Sequence, residues 1–472
     1  MTRATSAAKF SISISYPPLE SPKGTAFLSQ NRQFQWTNTG NVIYPVILAS
    51  AATLLKKNGY QVFWDDAIAQ GLTYSQWLSR LIQNRPNLIA IETKTPVVKK
   101  HWQIINDIKK HLPQSKVVLM GDHVTALSDE SKKNSQVDFI LKGGNYDLLL
   151  LGLVNQITHQ KNKKTTNLDL LPIIDRHLTQ WHLYAHRNSN FRHRPGAYLM
   201  SGRDCWWGKC TFCSWTTLFP GSCFKSFSPQ HQIKEVKNLV KNFKIKEIFD
   251  DSGTLPIGDW LKEFANLMDK HGFNRQVRLG ANMRFNGPTE TDFQNMQKAN
   301  IKFLLFGLES ANQNTLDRLH KNLKVDQIKK TLLLSKKYHI ANHLTVMIGY
   351  PWETLSDVQN TLTFVRQLFY DGLADSIQAT RIIPYPGTPL FNYCQKNHLL
   401  LTTTWDKYDM RQPVIKSPLS AATQQKLINS LFRSALEPRF LLRQVLSIRS
   451  LDDVKYLSLY VIKFLQKLKD FS

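Results

Sequence analysis

The chain has 472 residues, 42% of them hydrophobic and 11% aromatic, so it can bury the cores of two or three domains and is not disordered throughout. Its formal net charge is +26, from 61 Lys and Arg against 35 Asp and Glu. Such a charge favours nucleic acid, anionic lipid or phosphorylated partners, or it only keeps the surface soluble. No dense Lys/Arg run with interleaved aromatic residues is present, which makes nucleic acid the less favoured partner.

Residues 1–16 carry basic side chains but no apolar segment and no small-residue cleavage pattern, so we expect no signal peptide. No run reaches the ~18 uninterrupted apolar residues of a membrane-spanning helix. Three of the five cysteines lie within nine positions, which differs from a secreted disulfide framework and indicates a metal site. We therefore expect a protein of the reducing cytoplasm.

The first part of the chain alternates short strand-type runs with amphipathic helices such as Val46–Asn58 and Lys100–His111. This alternation predicts a parallel α/β sheet, and in such a sheet ligands bind beyond the carboxyl ends of the strands. We therefore predict a Rossmann-like ligand-binding domain over residues 1–155. Its strands are predicted at Lys9–Tyr16, Gln61–Trp64, Leu88–Glu92, Lys116–Met120 and Asp138–Leu141.

Residues 156–194 are polar and basic, with a helix-breaking proline at Pro172, and we predict a linker there. A second α/β alternation over 195–395 predicts a partial (β/α)6 barrel, with active-site residues at the carboxyl ends of its strands. Residues 396–472 are predicted to be helical. The barrel strands are predicted at Ala197–Gly202, Lys246–Asp251, Val277–Asn282, Phe303–Leu308, Leu344–Gly349 and Ser376–Ile383.

The clustered cysteines, Cys205, Cys210 and Cys213, follow the first barrel strand on one loop. Three thiolates can hold three corners of a [4Fe–4S] cluster and leave one iron open to a ligand. A structural zinc site is the alternative, but it needs four ligands, usually in two separated pairs. The nearest fourth thiol is Cys223 and there is no second C-x2-C pair, while Cys394 is interpreted as a buried small hydrophobe.

The loop resembles the signature of the radical S-adenosylmethionine (SAM) superfamily, which also follows the first barrel strand and ends, as in residues 210–213 (CTFC), in Cys-x-aromatic-Cys. The segments FDDSGT (249–254), FGLES (306–310), MIGYPWET (347–354) and IPYPGTP (383–389) resemble later parts of the family pattern in the same order. The resemblance spans about 195–390. It implies a [4Fe–4S] cluster on the three cysteines and SAM contacts from Phe212, Asp250, Asp251, Ser252, Gly307, Glu309, Ser310 and Gly349.

The cysteine loop departs from the commonest family spacing, because four residues rather than three separate Cys205 from Cys210. Gly208 gives the backbone freedom to accommodate the additional residue as a bulge. Trp206 and Trp207, inside the same loop, either shield the cluster or only pack.

The α/β domain ahead of the barrel resembles the cobalamin-dependent subclass, through the loops at residues 15–21, 92–96, 121–125 and 142–147. The D-x-H-x-x-G motif that supplies an axial histidine is absent, since Asp66–Gly71 has its spacing but Ile68 in place of His. We interpret His123 as capping or facing the nucleotide tail; a domain that only packs is the alternative. The resemblance implies cobalamin contacts at Tyr16, Pro17, Thr93, Thr95, Gly121, His123, Gly143 and Gly144.

The resemblance implies reductive cleavage of SAM to methionine and a 5′-deoxyadenosyl radical, with electrons from a flavodoxin- or ferredoxin-type donor. It further implies methylation of an unactivated carbon in a small or lipid-like substrate. Oxidative cyclisation or rearrangement and a cobalamin-free radical SAM reaction are alternatives within the class. An iron–sulfur redox sensor and a nucleic-acid-modifying enzyme are alternatives outside it, although a sensor has no need of the SAM-contact segments.

The tail, residues 451–472, places apolar side chains near helical spacing, with Asp452 and Asp453 at its start and Lys467 and Lys469 near its end. We predict an amphipathic helix that docks against the barrel. Peripheral contact with an anionic membrane surface is the alternative.

The cluster assignment predicts the effect of removing each thiol. Cys205→Ala, Cys210→Ala and Cys213→Ala should each lose the iron and the broad visible absorbance after anaerobic reconstitution, because each removes one ligand. Cys223→Ala and Cys394→Ala are matched controls and should keep both signals. A Cys223→Ala variant that loses iron beside a Cys205→Ala variant that keeps it would contradict the assignment.

Overall fold

The computed structural model describes residues 9–28, 34–38, 41–161, 165–187, 191–446, 448, 454, 457 and 458. The predicted amphipathic tail, 451–472, lies outside these ranges except for three residues, so its helix stays a prediction. Within the described ranges no helix is both long enough and apolar enough to cross a membrane.

The amino-terminal third of the chain folds as an alternation of strands and helices. Its elements in chain order are β1 (Ser11–Tyr16), β2 (Thr25–Phe27), β3 (Gln35–Thr37), α1 (Val46–Lys57), β4 (Gln61–Asp66), α2 (Ala67–Gln70), α3 (Tyr74–Asn84), β5 (Leu88–Glu92), α4 (Val98–His111), β6 (Lys116–Met120), α5 (Asp122–Ala126), α6 (Ser128–Asn134), β7 (Phe139–Leu141) and α7 (Tyr146–Ile157).

Five parallel strands form the amino-terminal sheet in the order β4-β1-β5-β6-β7. The chain moves outward from β1 in both directions, so the switch point of this doubly wound sheet lies between β1 and β5. The Rossmann-like fold and its five predicted strands are confirmed. A short antiparallel ribbon of β2 and β3 was not predicted, because three-residue strands leave almost no periodicity in the sequence.

The remainder of the chain continues the alternation. Its elements are α8 (His182–Ala185), β8 (Gly196–Leu199), β9 (Gly202–Arg203), α9 (Trp215–Leu218), β10 (Lys225–Ser226), α10 (Pro229–Phe243), β11 (Glu247–Asp250), α11 (Asp259–Lys270), β12 (Arg278–Met283), α12 (Glu290–Lys298), β13 (Ile301–Glu309), α13 (Gln313–Arg318), α14 (Val325–Lys337), β14 (Ala341–Ile348), α15 (Leu355–Tyr370), β15 (Ser376–Arg381), α16 (Pro389–Lys396), α17 (Ala421–Arg433) and α18 (Pro438–Leu446). Single 3₁₀ turns lie at Thr95–Val97, Leu168–Leu170, Phe273–Arg275, Trp405–Lys407 and Ser434–Leu436.

Six parallel strands form the second sheet in chain order, β8-β11-β12-β13-β14-β15, which confirms the predicted partial (β/α)6 barrel. Helices after these strands begin at side-chain caps: Ser228 caps α10, and Thr289 and Thr354 form reciprocal capping boxes at α12 and α15. Each cap contributes about 1 kcal/mol and fixes the residue at which a strand-end loop must return into a helix. The caps therefore define where the loops after β8, β12 and β14 end.

One hydrophobic core runs from the amino-terminal sheet into the mouth of the barrel. It contains Ile14 and Ile91 of the first sheet together with Tyr350 and Ile383, which lie in loops after β14 and β15. Trp405 of the carboxy-terminal region belongs to the same core. A second core lies between the barrel strands and the surrounding helices. Because the first core is shared, the amino-terminal domain is packed on the barrel over its strand ends.

A buried ion pair also joins the two domains. Arg203 Nη2, in β9, lies 2.6 Å from Asp147 Oδ2, in α7, and Ser50 donates its hydroxyl hydrogen to the same oxygen over 2.8 Å. The Arg203 guanidinium also lies 5.7 Å from the centre of the Phe227 ring. Arg203 precedes Cys205 by two residues, so this pair ties the cysteine loop to the amino-terminal domain.

The segment predicted as a linker, 156–194, is not a free tether over the part that the structure describes. Arg176 is buried, donates to Tyr198 O over 2.8 Å and lies 4.4 Å from the centre of the Tyr44 ring. Tyr184 donates to Asp66 over 2.6 Å. The polar residues of this segment thus have partners in both domains. Those partners lie far away in the sequence, so the polar composition alone could not show that the segment is packed.

The domain-joining ion pair predicts a large stability loss when it is broken on one side. Arg203→Met leaves the Asp147 carboxylate buried without a counter-charge and should lower the free energy of unfolding by about 3–5 kcal/mol. Arg203→Met combined with Asp147→Asn removes both charges and should be less destabilised than the single variant. Chemical denaturation followed by fluorescence measures both; a single variant within about 1 kcal/mol of the natural protein would contradict the coupling.

Candidate active site

The cysteine loop follows β9 and is held on both sides by the barrel. Thr211 donates its backbone N–H to Leu319 O over 3.0 Å, and its own carbonyl accepts from Leu390 N over 2.8 Å. The Trp207 indole N–H donates to His320 O over 2.7 Å. The loop is therefore fixed by backbone contacts with the end of α13 and the start of α16, whatever its side chains bind.

The three thiols of the loop are partly buried and interact with one another. Burial raises the pKa of Cys205 and of Cys213, and the neighbouring Cys210 thiol adds to the rise at both. A coordinating metal removes these protons, so raised thiol pKa values couple metal binding to proton release. Within the described ranges, no three His, Cys, Asp or Glu side chains surround a position for a single metal ion.

The two remaining cysteines lie in different surroundings. Cys394 is fully buried in α16, and burial raises its pKa to about 12, so it is the small hydrophobe that we predicted. Cys223 is exposed and donates its S–H to Pro220 O over 3.2 Å. Neither environment resembles that of the three loop thiols.

The loop after β11 packs directly on the cysteine loop. A Cβ at Gly253 would lie 2.8 Å from Asp204 O and 3.1 Å from Cys205 Cβ, so only glycine fits this contact. Asp250 Oδ1 accepts from Ser201 N over 3.2 Å and from the Ser252 hydroxyl over 2.5 Å. Burial raises the pKa of Asp250. These side chains hold the strand end against the cysteine loop.

Glu309 ends β13 with a left-handed backbone, φ +65°, and its side chain folds back over Gly307. Its Oε1 lies 2.9 Å from Lys321 Nζ in an ion pair that is buried on both sides. Lys321 Nζ also lies 5.9 Å from the centre of the Phe212 ring, which is part of the cysteine loop. The structure therefore brings together three predicted SAM contacts, Phe212, Gly307 and Glu309, around a lysine that sequence reasoning missed.

Ser310 and Gly349, also predicted to contact SAM, face protein groups. The Ser310 hydroxyl donates to Glu353 Oε1 over 2.7 Å and accepts from Asn312 N over 3.2 Å. A Cβ at Gly349, whose φ is +94°, would lie 2.9 Å from Gln424 Oε1. The side chain of Ser310 thus stabilises the turn after β13. Its partner Glu353 is buried, and no role was predicted for it from the sequence.

Tyr16 and the threonines predicted to contact cobalamin line the switch point of the amino-terminal sheet. Tyr16 donates its hydroxyl hydrogen to Glu92 Oε2 over 2.5 Å. The Thr93 hydroxyl lies 2.7 Å from His101 Nδ1 and the Thr95 hydroxyl 3.2 Å from His123 Nδ1. Pro17, directly after β1, is buried beside them. All of these predicted residues are therefore close to the crevice that doubly wound sheets use for ligands.

Glycines allow close backbone contacts at the same edge of the sheet. Gly121 has φ +139°, and a Cβ there would lie 2.1 Å from Thr93 O. Gly144 N donates to Leu218 O over 3.0 Å, which connects the loop after β7 to α9, just beyond Cys213. Gly143, with φ +103°, precedes it and donates to the Thr125 hydroxyl over 3.1 Å. The two predicted cofactor sites therefore share a border.

His123 is buried, and both of its ring nitrogens face protein groups. Besides the Thr95 contact, its Nε2 lies 3.3 Å from Glu130 Oε2. The Trp405 ring meets it edge-on with centroids 5.2 Å apart. Its capping or tail-facing role stays a prediction. Asp66 of the D-x-I sequence caps the short helix α2, so that sequence is a helix cap and not a ligand loop.

Buried polar groups beside the switch point have unused hydrogen-bonding capacity. Lys94 Nζ lies 3.2 Å from Asp122 Oδ2, both buried. In the described part of the chain, Glu92 Oε1 and the Tyr146 hydroxyl have no hydrogen-bond partner although both are buried. Burial raises the pKa of both groups. An edge of glycines and such polar atoms fits a large cofactor with amide groups on its rim.

Together, a six-unit barrel with three cysteines on the loop after its first strand, and strand-end loops packed on that loop, define the radical SAM class of enzymes. In agreement, residues 200–365 match the Radical SAM superfamily. The barrel is therefore a radical SAM domain, whose cofactors are a [4Fe–4S] cluster and SAM.

Relatives of known name extend over more of the chain than the barrel. An uncharacterized methyltransferase of Pyrococcus horikoshii is 25% identical over 422 residues, covering 85% of this chain and 90% of its own. The anaerobic magnesium-protoporphyrin IX monomethyl ester cyclase of Rubrivivax gelatinosus is 22% identical over 402 residues, covering 79% and 70%.

Solved structures share the two-domain fold. The cobalamin-dependent SAM radical enzyme OxsB, with aqua-cobalamin and SAM bound, has a TM-score of 0.69 at 14% identity and covers 98% of this chain and 72% of its own. The radical SAM methyltransferase TsrM from Kitasatospora setae, with cobalamin and a [4Fe–4S] cluster bound, has a TM-score of 0.64 at 12% identity and covers 92% and 90%.

The position of Glu309 predicts its effect on SAM binding. Glu309→Ala should weaken SAM binding to the cluster-loaded protein roughly tenfold to a hundredfold, since a charged hydrogen-bond partner contributes about 1.5–3 kcal/mol. Ser310→Ala is the matched control: it should leave the SAM dissociation constant unchanged and lower only the stability, because its hydroxyl faces Glu353. Isothermal titration calorimetry measures both; an unchanged dissociation constant for Glu309→Ala would contradict the site.

Proposed function

We propose that this protein is a cobalamin-dependent radical SAM methyltransferase that methylates an unactivated carbon of a small-molecule substrate. The observation that carries the proposal is that the carboxyl-end edge of the amino-terminal sheet packs on the part of the barrel that follows the cysteine loop. Gly144 contacts Leu218, and a Cβ at Gly387 would lie 2.6 Å from Thr217 and 2.8 Å from Ala126. Loops of both domains and of the sixth barrel unit thus meet at one place.

Support for cobalamin comes from the chemistry of that edge and from the fold. Gly121 and Gly143 leave room for close approach to the backbone, and Glu92 and Tyr146 carry buried atoms without a partner in the described residues. OxsB and TsrM, which share the fold, are described with cobalamin bound. Support for methyl transfer comes from TsrM and the Pyrococcus relative, both named methyltransferases.

The residues of this chain would have distinct roles in the proposed reaction. When bound, the cluster supplies the electron for reductive cleavage of SAM, and cobalamin carries the methyl group. Cys205, Cys210 and Cys213 would hold the cluster, and Glu309 would orient the polar end of SAM beside it. The buried Tyr350 and Trp215 keep water from the space around the cysteine loop.

We further propose a small or lipid-like substrate, a flavodoxin- or ferredoxin-type electron donor and a cytoplasmic location. Radical SAM chemistry needs a one-electron donor, and the exposed, basic Lys209 lies within the cysteine loop. The relative named a cyclase makes oxidative ring formation the second candidate reaction, because its likeness also spans both domains of this chain.

The proposal predicts that cobalamin binds without a nitrogen ligand from the protein. After anaerobic reconstitution with hydroxocobalamin and gel filtration, cobalamin should remain with the protein. Electron paramagnetic resonance of the cobalt(II) form should show no nitrogen superhyperfine splitting from a protein ligand, because both ring nitrogens of His123 face Thr95 and Glu130. The spectrum should be unchanged in His123→Ala.

Two results would contradict parts of this proposal separately. A nitrogen splitting that disappears in His123→Ala would overturn the histidine-free lower face while leaving cobalamin dependence intact. Failure of the protein to retain any cobalamin, with its iron content normal, would overturn the methyltransferase proposal and leave a radical SAM enzyme with a packing domain.

A further inference from the structure

A buried arginine lies directly beside the cysteine loop. Arg284 follows β12 and is only 7% exposed. Its Nη1 lies 3.6 Å from Cys210 Sγ, and its Nη2 donates to Asn286 Oδ1 over 3.0 Å and to Lys321 O. The guanidinium thus reaches a cysteine sulfur while two neutral oxygens hold its far side.

In the part of the chain that the structure describes, the positive charge of Arg284 has no carboxylate as a counter-charge. Among the described residues, no carboxylate oxygen lies within 4.0 Å of its guanidinium nitrogens, whereas the buried Arg203 and Lys321 are paired with Asp147 and Glu309. Its Nε–H is buried and also without an acceptor there. Burying an unpaired charge is costly, so the site requires a negative group near the guanidinium.

The unusual length of the cysteine loop places two aromatic rings against this charge. The Arg284 guanidinium lies 5.4 Å from the centre of the Trp206 ring and 5.1 Å from that of Trp207. Their indole N–H groups donate to Leu255 O and His320 O, which fixes both rings. The two rings, which lie in the four-residue spacing between Cys205 and Cys210, therefore hold the arginine against Cys210.

We infer that Arg284 is a positioning residue that balances the negative charge of the cluster and raises its reduction potential. Three thiolates outnumber the two positive charges of an oxidised [4Fe–4S] core, so the assembly is anionic. Reduction transfers one electron from a ferredoxin- or flavodoxin-type donor to the core, which adds one negative charge while the donor is oxidised by one electron. A fixed guanidinium with an N–H directed at Cys210 stabilises that added charge. The inference rests on the cluster assignment and is independent of cobalamin.

Removing the charge should make reduction of the cluster harder. In Arg284→Gln, the ratio of reduced to oxidised cluster at a fixed potential should fall about tenfold, which for a one-electron couple is a shift of about 59 mV to more negative potential. Arg284→Lys keeps the charge and should retain most of the natural potential. The measurement is a potentiometric titration of the reconstituted full-length protein, followed by electron paramagnetic resonance of the reduced cluster.

A second pair of variants keeps the arginine and so avoids the loss of its structural contacts. Asn286→Asp replaces the amide oxygen 3.0 Å from Arg284 Nη2 with a carboxylate, which pairs with the guanidinium and cancels much of its charge. Its potential should fall in the same direction as that of Arg284→Gln. Asn286→Ala is the matched control, since it removes the same contact without adding charge, and its potential should stay at the natural value.

The inference is overturned if Asn286→Asp, with a full complement of iron, has the potential of the natural protein. It is equally overturned if Arg284→Gln keeps its potential and instead loses affinity for SAM, because the guanidinium would then serve the SAM carboxylate. Iron content distinguishes this inference from the cluster assignment. Cys210→Ala should lose iron, whereas the Arg284 variants should keep it and change only the reduction potential.

Discussion

The ion pair between Arg203 and Asp147 is the contact on which the relative position of the two sheets depends. Both charges are buried, so moving the domains apart would leave each charge without its counter-charge, which is costly. The pair stands at the junction of three features: the strand β9, the start of α7, and the loop that carries Cys205. A displacement of the amino-terminal domain would therefore move the cysteine loop, and the two candidate cofactor sites are coupled through it.

The sheets were predictable from the sequence because their strands are buried on both faces. Runs such as LIAIE and KVVLM are apolar without alternation, and each is followed at once by turn residues. The cysteine loop and the segment FGLES were also visible, since their residue types are rare in combination. The boundaries differ from prediction by a few residues, as at β13, which continues to Glu309.

The partners of the site residues were not predictable, because they are contributed by positions far along the chain. Lys321 and Arg284 look like ordinary basic residues in the sequence, yet they meet Glu309 and Cys210 in the fold. Ser310 was assigned to SAM because the segment FGLES resembles the family pattern, and nothing in that segment shows that its hydroxyl donates to Glu353, 43 residues later. The contacts of the predicted linker were hidden for the same reason: nothing near Arg176 in the sequence shows that a carbonyl and an aromatic ring cover it.

Trp405 has a consequence for the order in which this chain can fold. Its indole N–H donates to Glu130 over a separation of 275 residues, and its ring covers His123 at the edge of the amino-terminal sheet. During synthesis that edge has no cover until the whole barrel has left the ribosome, so the first domain spends most of translation with an apolar surface exposed. Contacts of such sequence separation form late and slowly. The carboxy-terminal region thus closes the fold, and a chain that ended at the last barrel helix would leave the cofactor edge of the first domain open.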